Sequence, residues 1–339
     1  MSSRLWKVGC MAAATAAVGG LGAVLVTGCR APAKAELEEA IPALPKNADL
    51  AQAGLSRAPL PAPVAGVSEV VYVHLPARGT PGRRPLVLVH GTPSTLFAWS
   101  AVTTGGPWSA ALRADRDVYL VEVVGHGLAS AGSTAGGFQD CADYLVAALR
   151  ALELRDVCLV GQSYGGEFAW RAALDAPELV GALVLVDSSG YARPEGGFLP
   201  EERRLRDLPG WIARNGWRLS TREGIRSALA PHFREPVADD RVEEFALACS
   251  NPENWRVMTD LCRDENGERE DEIGQIPQPT LLVWGDDDLA YPVDFYGRRF
   301  EREIGDARLV VVERCGHYPP EERPQAFAEI LASFLRETE

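Results

Sequence analysis

The chain has 339 residues, 46% of them hydrophobic and 24% charged, and a net charge of −13. That length suits one large domain or two ordinary ones, and that apolar share excludes global disorder. The acidic balance shows no stripe of clustered Lys and Arg, so nucleic acid is not the expected partner and the surface charge reads first as solubilising.

The N-terminus comes first in chain order. Arg4 and Lys7 precede a stretch from Val8 to Cys29 with no charged residue. A basic start followed by an apolar run is the pattern of an export signal, excluded from the fold. Val26-Thr27-Gly28-Cys29 closes the stretch and resembles the lipobox of bacterial lipoprotein signals, with valine in the usual leucine position. The resemblance implies that residues 1–28 are removed and that Cys29 becomes the lipidated first residue of an exported, membrane-anchored protein. An uncleaved anchor stays open, because about 20 apolar residues span a bilayer, as does an ordinary export signal. Residues 29–66 are rich in Ala and Pro and poor in large apolar groups. They read as a semi-stiff tether, with a short helix around Ala35–Ile41.

The folded domain is expected over 67–339. Val70–Val73, Leu86–Val89, Val118–Val121, Val157–Val160, Ala182–Val186, Leu281–Trp284 and Leu309–Val312 are short, unbroken apolar runs. Such runs fit parallel strands covered on both faces. Phe138–Leu152, Glu167–Leu174 and Pro324–Leu335 carry apolar residues at spacings of three and four, which predicts helices. The alternation predicts an α/β fold, a mostly parallel doubly wound sheet. One interval breaks the rhythm. Residues from about 191 to 276 are charged and helical in tone and carry Trp211, Trp217 and Trp255. They read as an inserted helical lid, expected to cover the site.

Seven cysteines stand at 10, 29, 141, 158, 249, 262 and 315, with no C-x-x-C pair. Neither a zinc site nor a redox motif follows, and no cofactor or metal is expected. Cys249 and Cys262 stay open as a pair for an oxidising compartment.

Residues 161–166 read GQSYGG, directly after an apolar run and before a helix. A serine on such a turn is lifted out of the sheet, and the following helix N-terminus turns unpaired N–H groups toward it. A serine hydroxyl needs a base to become a nucleophile. Of the five histidines, His317 follows the last strand, where α/β sheets build their sites. A carboxylate must orient that base, and Asp286, Asp287 and Asp288 all follow the preceding strand.

On these motifs, residues from about 68 to 337 resemble the α/β-hydrolase superfamily. The order Ser163, Asp288, His317 matches its nucleophile, acid and base. Trp284-Gly285 with Asp288 and Pro292 resembles the W-G-x-x-D-x-x-x-P pattern, which selects Asp288 from the three aspartates. Gly316-His317 with Glu321 resembles the family's ending. His90-Gly91-Thr92-Pro93 resembles its H-G-x-P loop, which implies that the backbone N–H groups of Thr92 and Tyr164 form an oxyanion hole. Glu122–Ala129 departs from the family's D-x-P-G-H-G-x-S stretch, keeping the glycines and His126 but losing the proline and final serine.

Members of this fold that open epoxides or remove halogens carry aspartate at the elbow. Serine there implies attack on a carbonyl carbon of a small, partly apolar acyl substrate through an acyl-enzyme. A carbon–carbon hydrolase or perhydrolase would use the same residues. A non-catalytic ligand-binding lipoprotein on the same fold is the alternative, against which the complete triad stands. Oligomeric state is not legible. If Cys29 is the anchor, Cys29→Ser should release the protein from membranes or leave its signal uncleaved. Mass spectrometry of membrane-extracted protein is the check: an intact Met1 start with unmodified Cys29 would replace the lipoprotein with an uncleaved anchor.

Overall fold

A computed structural model describes residues 31–129, 136–194, 197, 199, 206–216 and 221–339. The signal stretch, Cys29 and Trp217 lie outside the described residues. Among those described, no helix is long and apolar enough to cross a membrane.

Eight strands form one sheet: β1 (Ser56–Val64), β2 (Val67–Leu75), β3 (Leu86–Val89), β4 (Val118–Val121), β5 (Val157–Gln162), β6 (Val180–Val186), β7 (Thr280–Gly285) and β8 (Ala307–Val312). Their order is β1-β2-β4-β3-β5-β6-β7-β8. The two pairings of β2 are antiparallel, and from β4 onward every pairing is parallel. The unbroken apolar runs follow from burial on both faces. Successive side chains of a strand point to opposite faces. Thus Val87, Val89, Leu159, Leu185 and Trp284 enter one core, while Leu86, Leu88, Val160, Val184 and Val283 enter the other. Helices Phe138–Ala151 and Tyr164–Asp175 cover the first face, and Pro324–Glu337 covers the second.

The stretch 31–66 is not a bare tether. A helix spans Lys34–Ala40, and Leu37, Ile41 and Leu50 are fully buried in the second core. The last part of the stretch is β1, the antiparallel edge strand paired with β2. The register with β2 runs from Ser56 to Pro59, breaks, and resumes at Val64, so Pro61 and Pro63 lie in the irregular part of the strand, where proline is tolerated. An irregular, proline-bearing edge strand is a poor template for further pairing.

Between β6 and β7 the chain forms helices Gly210–Ala213, Arg222–Leu229, Asp239–Ser250 and Pro252–Asp264. Ile225, Leu229, Val237 and Val242 give this insert a small core of its own. It is seated on the loops at the strand ends. Asn254 Nδ2 donates to the Gly127 carbonyl at 3.0 Å, Thr95 Oγ1 donates to Glu244 at 2.7 Å, and the His317 N–H donates to the His232 carbonyl at 2.8 Å. The aromatics divide. Trp255 is tied by its indole N–H to the Ala213 carbonyl at 2.7 Å, whereas Trp211 is 74% exposed and so lines no buried pocket. Cys249 and Cys262 are not joined by a disulfide.

Because Leu37 and Leu50 are core residues, Leu37→Ala and Leu50→Ala should each destabilise the chain by about 2–5 kcal/mol. Urea denaturation checks this, and an unchanged midpoint for both would return the segment to the status of a tether.

Candidate active site

Ser163 follows β5 and adopts φ 57°, ψ −126°, outside the ordinary regions for a residue with a side chain. Two close approaches hold it there. A Cβ on Gly161 would lie 2.2 Å from the Gly165 carbonyl oxygen, and one on Gly165 would lie 2.3 Å from that of His90. Only glycine lets the three backbone segments approach this closely. The turn is locked to the sheet by Ser163 N–H donating to the Val186 carbonyl at 2.9 Å. Ser163 itself is 5% exposed.

His317 and Asp288 are both buried, and His317 Nδ1 lies 2.8 Å from Asp288 Oδ2. A proton on Nδ1 donates to the carboxylate and leaves Nε2 with its lone pair, the tautomer a general base requires. Asp288 Oδ1 accepts from the N–H groups of Ala290 at 2.8 Å and Tyr291 at 3.0 Å. Burial alone would raise this carboxyl. His317 and these donors outweigh burial and hold it below the usual carboxylate range. Its two neighbours are engaged elsewhere: Asp286 accepts from the Cys315 N–H at 3.0 Å, and Asp287 pairs with Arg234 at 2.9 Å on the surface. The serine turn and the histidine loop are joined directly, since Gln162 Nε2 donates to the His317 carbonyl at 3.0 Å.

The H-G loop packs against the same turn. A Cβ on Gly91 would lie 2.7 Å from Ser163 Cβ, so Thr92 sits beside the serine. The Tyr164 N–H is the first of the helix Tyr164–Asp175 and, as at every helix N-terminus, has no acceptor within its helix. The helix dipole adds positive potential there. The departing stretch 122–127 braces this loop. Thr92 Oγ1 lies 2.5 Å from His126 Nε2, and His126 Nδ1 lies 3.0 Å from the Val124 carbonyl. Glu122 accepts from the Leu96 N–H at 3.1 Å and faces His90 Nε2 at 3.1 Å.

Two residues near the site carried no role in the sequence reading. Asp187 directly follows β6, is fully buried and accepts from the Gly285 N–H at 3.0 Å. Its signal was a carboxylate standing directly after an apolar strand. His232, in the insert, places its ring centroid 5.7 Å from that of His317. Among the described residues, Asp187, Asp288 and His317 also form a cluster of metal-ligating type, with atoms within 4.8 Å of one another. The His317–Asp288 hydrogen bond already engages two of these groups with each other.

With this geometry in place, comparison with known proteins assigns the family. The alpha/beta hydrolase family model matches residues 86–330, and the chain belongs to that family. The chain is 28% identical over 260 residues to the uncharacterized hydrolase YugF of Bacillus subtilis (strain 168), covering 76% of this chain and 91% of that one. It is 28% identical over 267 residues to 2-hydroxymuconate semialdehyde hydrolase of Pseudomonas sp. (strain CF600), covering 75% and 88%. Solved structures of similar fold include a bacterial membrane phospholipase A, with TM-score 0.70, 23% identity and coverage of 90% and 92%. A thermophilic esterase from Thermogutta terrifontis has TM-score 0.66, 21% identity and coverage of 84% and 99%.

Two histidines beside the site set an acid limit. Burial, reinforced by His90, pushes His126 down to about 3, and burial, reinforced by His317, pushes His232 down to about 3. Both rings are neutral in the folded protein, whereas the unfolded chain binds their protons near pH 6.5. The contribution of these two rings to stability should therefore be full above about pH 6.5 and fall as pH drops toward 3, by about 1.4 kcal/mol per pH unit for each ring. Urea midpoints at pH 7, 5 and 4 check this, and His232→Gln should remove about half of that histidine-linked slope. A slope unchanged in the variant would mean that His232 is not the buried neutral ring described.

Proposed function

We propose that the chain is a serine hydrolase that opens an ester or related acyl bond of a small, partly apolar substrate. The observation that carries this reading is the glycine-walled serine turn joined through Gln162 to a buried His317–Asp288 pair. In the proposed sequence, Ser163 Oγ attacks the carbonyl carbon as its proton passes to His317 Nε2. The carbonyl π electrons move onto oxygen, and the N–H groups of Thr92 and Tyr164 receive that oxyanion. The carbon–oxygen bond to the alcohol then breaks, and the leaving oxygen takes the proton from His317. Water, deprotonated by the same imidazole, releases the acid and restores Ser163. Asp288 keeps the imidazole in the required tautomer and offsets its charge when protonated. Each oxyanion donor of this kind contributes about 3–4 kcal/mol of transition-state stabilisation.

A second reading is favoured by the relatives named as hydrolases of 2-hydroxymuconate semialdehyde and of 2-hydroxy-6-oxo dienoic acids. Such acids present an aldehyde or ketone rather than an ester, and their hydrolysis would break a carbon–carbon bond beside the carbonyl with the same three residues. On either reading, the uncharged Val8–Cys29 stretch supports export and anchoring through the N-terminus, with substrate met outside the cytoplasm.

A fluorophosphonate probe should label Ser163, and Ser163→Ala should abolish both labelling and turnover of p-nitrophenyl esters. Asp288→Asn should lower kcat by about 10³–10⁴, whereas Asp286→Asn and Asp287→Asn should stay within a few-fold. Turnover by Ser163→Ala near the wild-type rate would remove the serine mechanism. A 2-hydroxy-6-oxo-2,4-dienoate turned over much faster than any ester would transfer the assignment to the second reading.

A further inference from the structure

Asp187 is a buried carboxyl that the proposed mechanism leaves idle. It directly follows β6 with φ 44°, and its N–H donates to the Val283 carbonyl of β7 at 3.0 Å, so its backbone is fixed where β6 and β7 meet. Oδ1 accepts from the Gly285 N–H at 3.0 Å. Oδ2 is buried and meets no donor. The carboxyl lies against that of Asp288, within the 4.8 Å cluster that also includes His317. The remaining titratable groups facing it are Cys315, from the loop after β8, and Glu322, from the turn that follows His317. Neither supplies a positive charge.

Two carboxylates this close, both out of water, cannot both be ionised without a large electrostatic penalty. The donor count decides which one keeps the charge. Asp288 accepts from Ala290 N–H, Tyr291 N–H and His317 Nδ1, whereas Asp187 accepts from Gly285 N–H alone. Hydrogen bonds to the charged form favour it.

We infer that Asp187 is a neutral carboxylic acid whose O–H donates a hydrogen bond to Asp288, making it a positioning residue for the proposed triad carboxylate. The orphan Oδ2 thereby becomes the donor, and the pair holds one negative charge and one proton. The assignment rests on the serine-hydrolase reading for its catalytic meaning but not for its protonation. The electrostatic environment agrees. Burial first, then the neighbouring Asp288, pushes the Asp187 carboxyl well above the usual carboxylate range, while Asp288 is held below it.

The sign of the pH dependence follows. Above about pH 4 the unfolded chain ionises Asp187, while the folded protein keeps the proton. The folded state then binds one more proton than the unfolded state at this group. Stability contributed by Asp187 is fully present below about pH 4 and is lost as pH rises toward the raised folded value. The unfolding constant should grow by up to tenfold per pH unit from this group.

The experiment compares wild type, Asp187→Asn and Asp187→Ala in the full chain by urea unfolding from pH 5 to 9 and by ester hydrolysis over the same range. Asparagine keeps the acceptor for Gly285 and offers N–H to Asp288, but it has no proton to lose. Asp187→Asn should keep kcat within about three-fold, flatten the decline of stability with pH, and lack any alkaline loss of activity caused by Asp187 ionisation. Asp187→Ala should lose about tenfold or more in kcat with KM little changed, because Asp288 loses its donor. If alanine prevents folding, the asparagine variant alone decides. A pH slope of stability identical in Asp187→Asn and wild type would overturn the inference. So would loss of activity in Asp187→Asn as deep as in Ser163→Ala, since Asp187 would then be needed as a charged carboxylate. The unfolding comparison needs no turnover, so it separates this inference from failure of the serine-hydrolase reading.

Discussion

The strained backbone at Ser163 is the constraint on which the site depends. A non-glycine residue at φ 57°, ψ −126° costs on the order of 1–3 kcal/mol and persists only where the surroundings over-determine it. Here the surroundings are the sheet itself. The Ser163 N–H is held by β6, and the glycines on either side let the elbow, the following helix and the H-G loop occupy nearly one volume. Relaxing the turn would separate the H-G loop from the helix N-terminus, and the two proposed oxyanion donors would part. The strain and the convergence of donors are therefore one feature.

A second device couples the insert to this turn. Glu265, at the end of the insert, is a buried carboxylate that accepts from Tyr164 Oη at 2.9 Å, Arg193 Nε at 2.6 Å, Arg206 Nη2 at 2.8 Å and Tyr291 Oη at 2.8 Å. Tyr164 belongs to the serine elbow, and Tyr291 belongs to the Asp288 loop. The Tyr291 ring also stacks on His317, with centroids 5.3 Å apart. Burying a carboxylate is tolerable only when its lone pairs are filled, and the two arginines and two tyrosines fill them. The insert is thus tied to the groups that carry the proposed chemistry, while its outer face, where Trp211 lies, is left to solvent.

How much of this was legible in the sequence depended on how many environments a residue had to satisfy. The parallel strands were legible because burial on both faces leaves one solution, an unbroken apolar run, and Leu86–Val89 and Val118–Val121 match it residue for residue. The elbow was legible because the close approaches admit only glycine. The edge strand was not. A run such as Pro59-Leu60-Pro61-Ala62-Pro63 has the composition of a linker, and only the pairing of its flanks with β2, up to Pro59 and again at Val64, shows that it belongs to an edge strand. Asp288 was picked out by family spacing, and burial and hydrogen bonding separate it from Asp286 and Asp287. Asp187 had no comparable signal, because its environment is created by a carboxylate 101 positions away that only the crossover from β6 through the insert to β7 brings beside it.

In the inferred protonation, that crossover would also set the charge balance of the site. In the proposed reaction His317 alternates between a neutral and a protonated ring, so one buried negative charge is the amount that matches it. Two ionised carboxylates facing one imidazolium would leave a buried negative charge without a partner. No carboxylate at all would leave the imidazolium of the transition state unsupported. An Asp187 that keeps its proton resolves the conflict. It satisfies the Gly285 N–H and, in the inferred protonation, would orient Asp288 without adding charge. On the proposed mechanism and the inferred protonation, the same pair of strand ends would supply both the charge the base needs and the hydrogen bond that limits it to one.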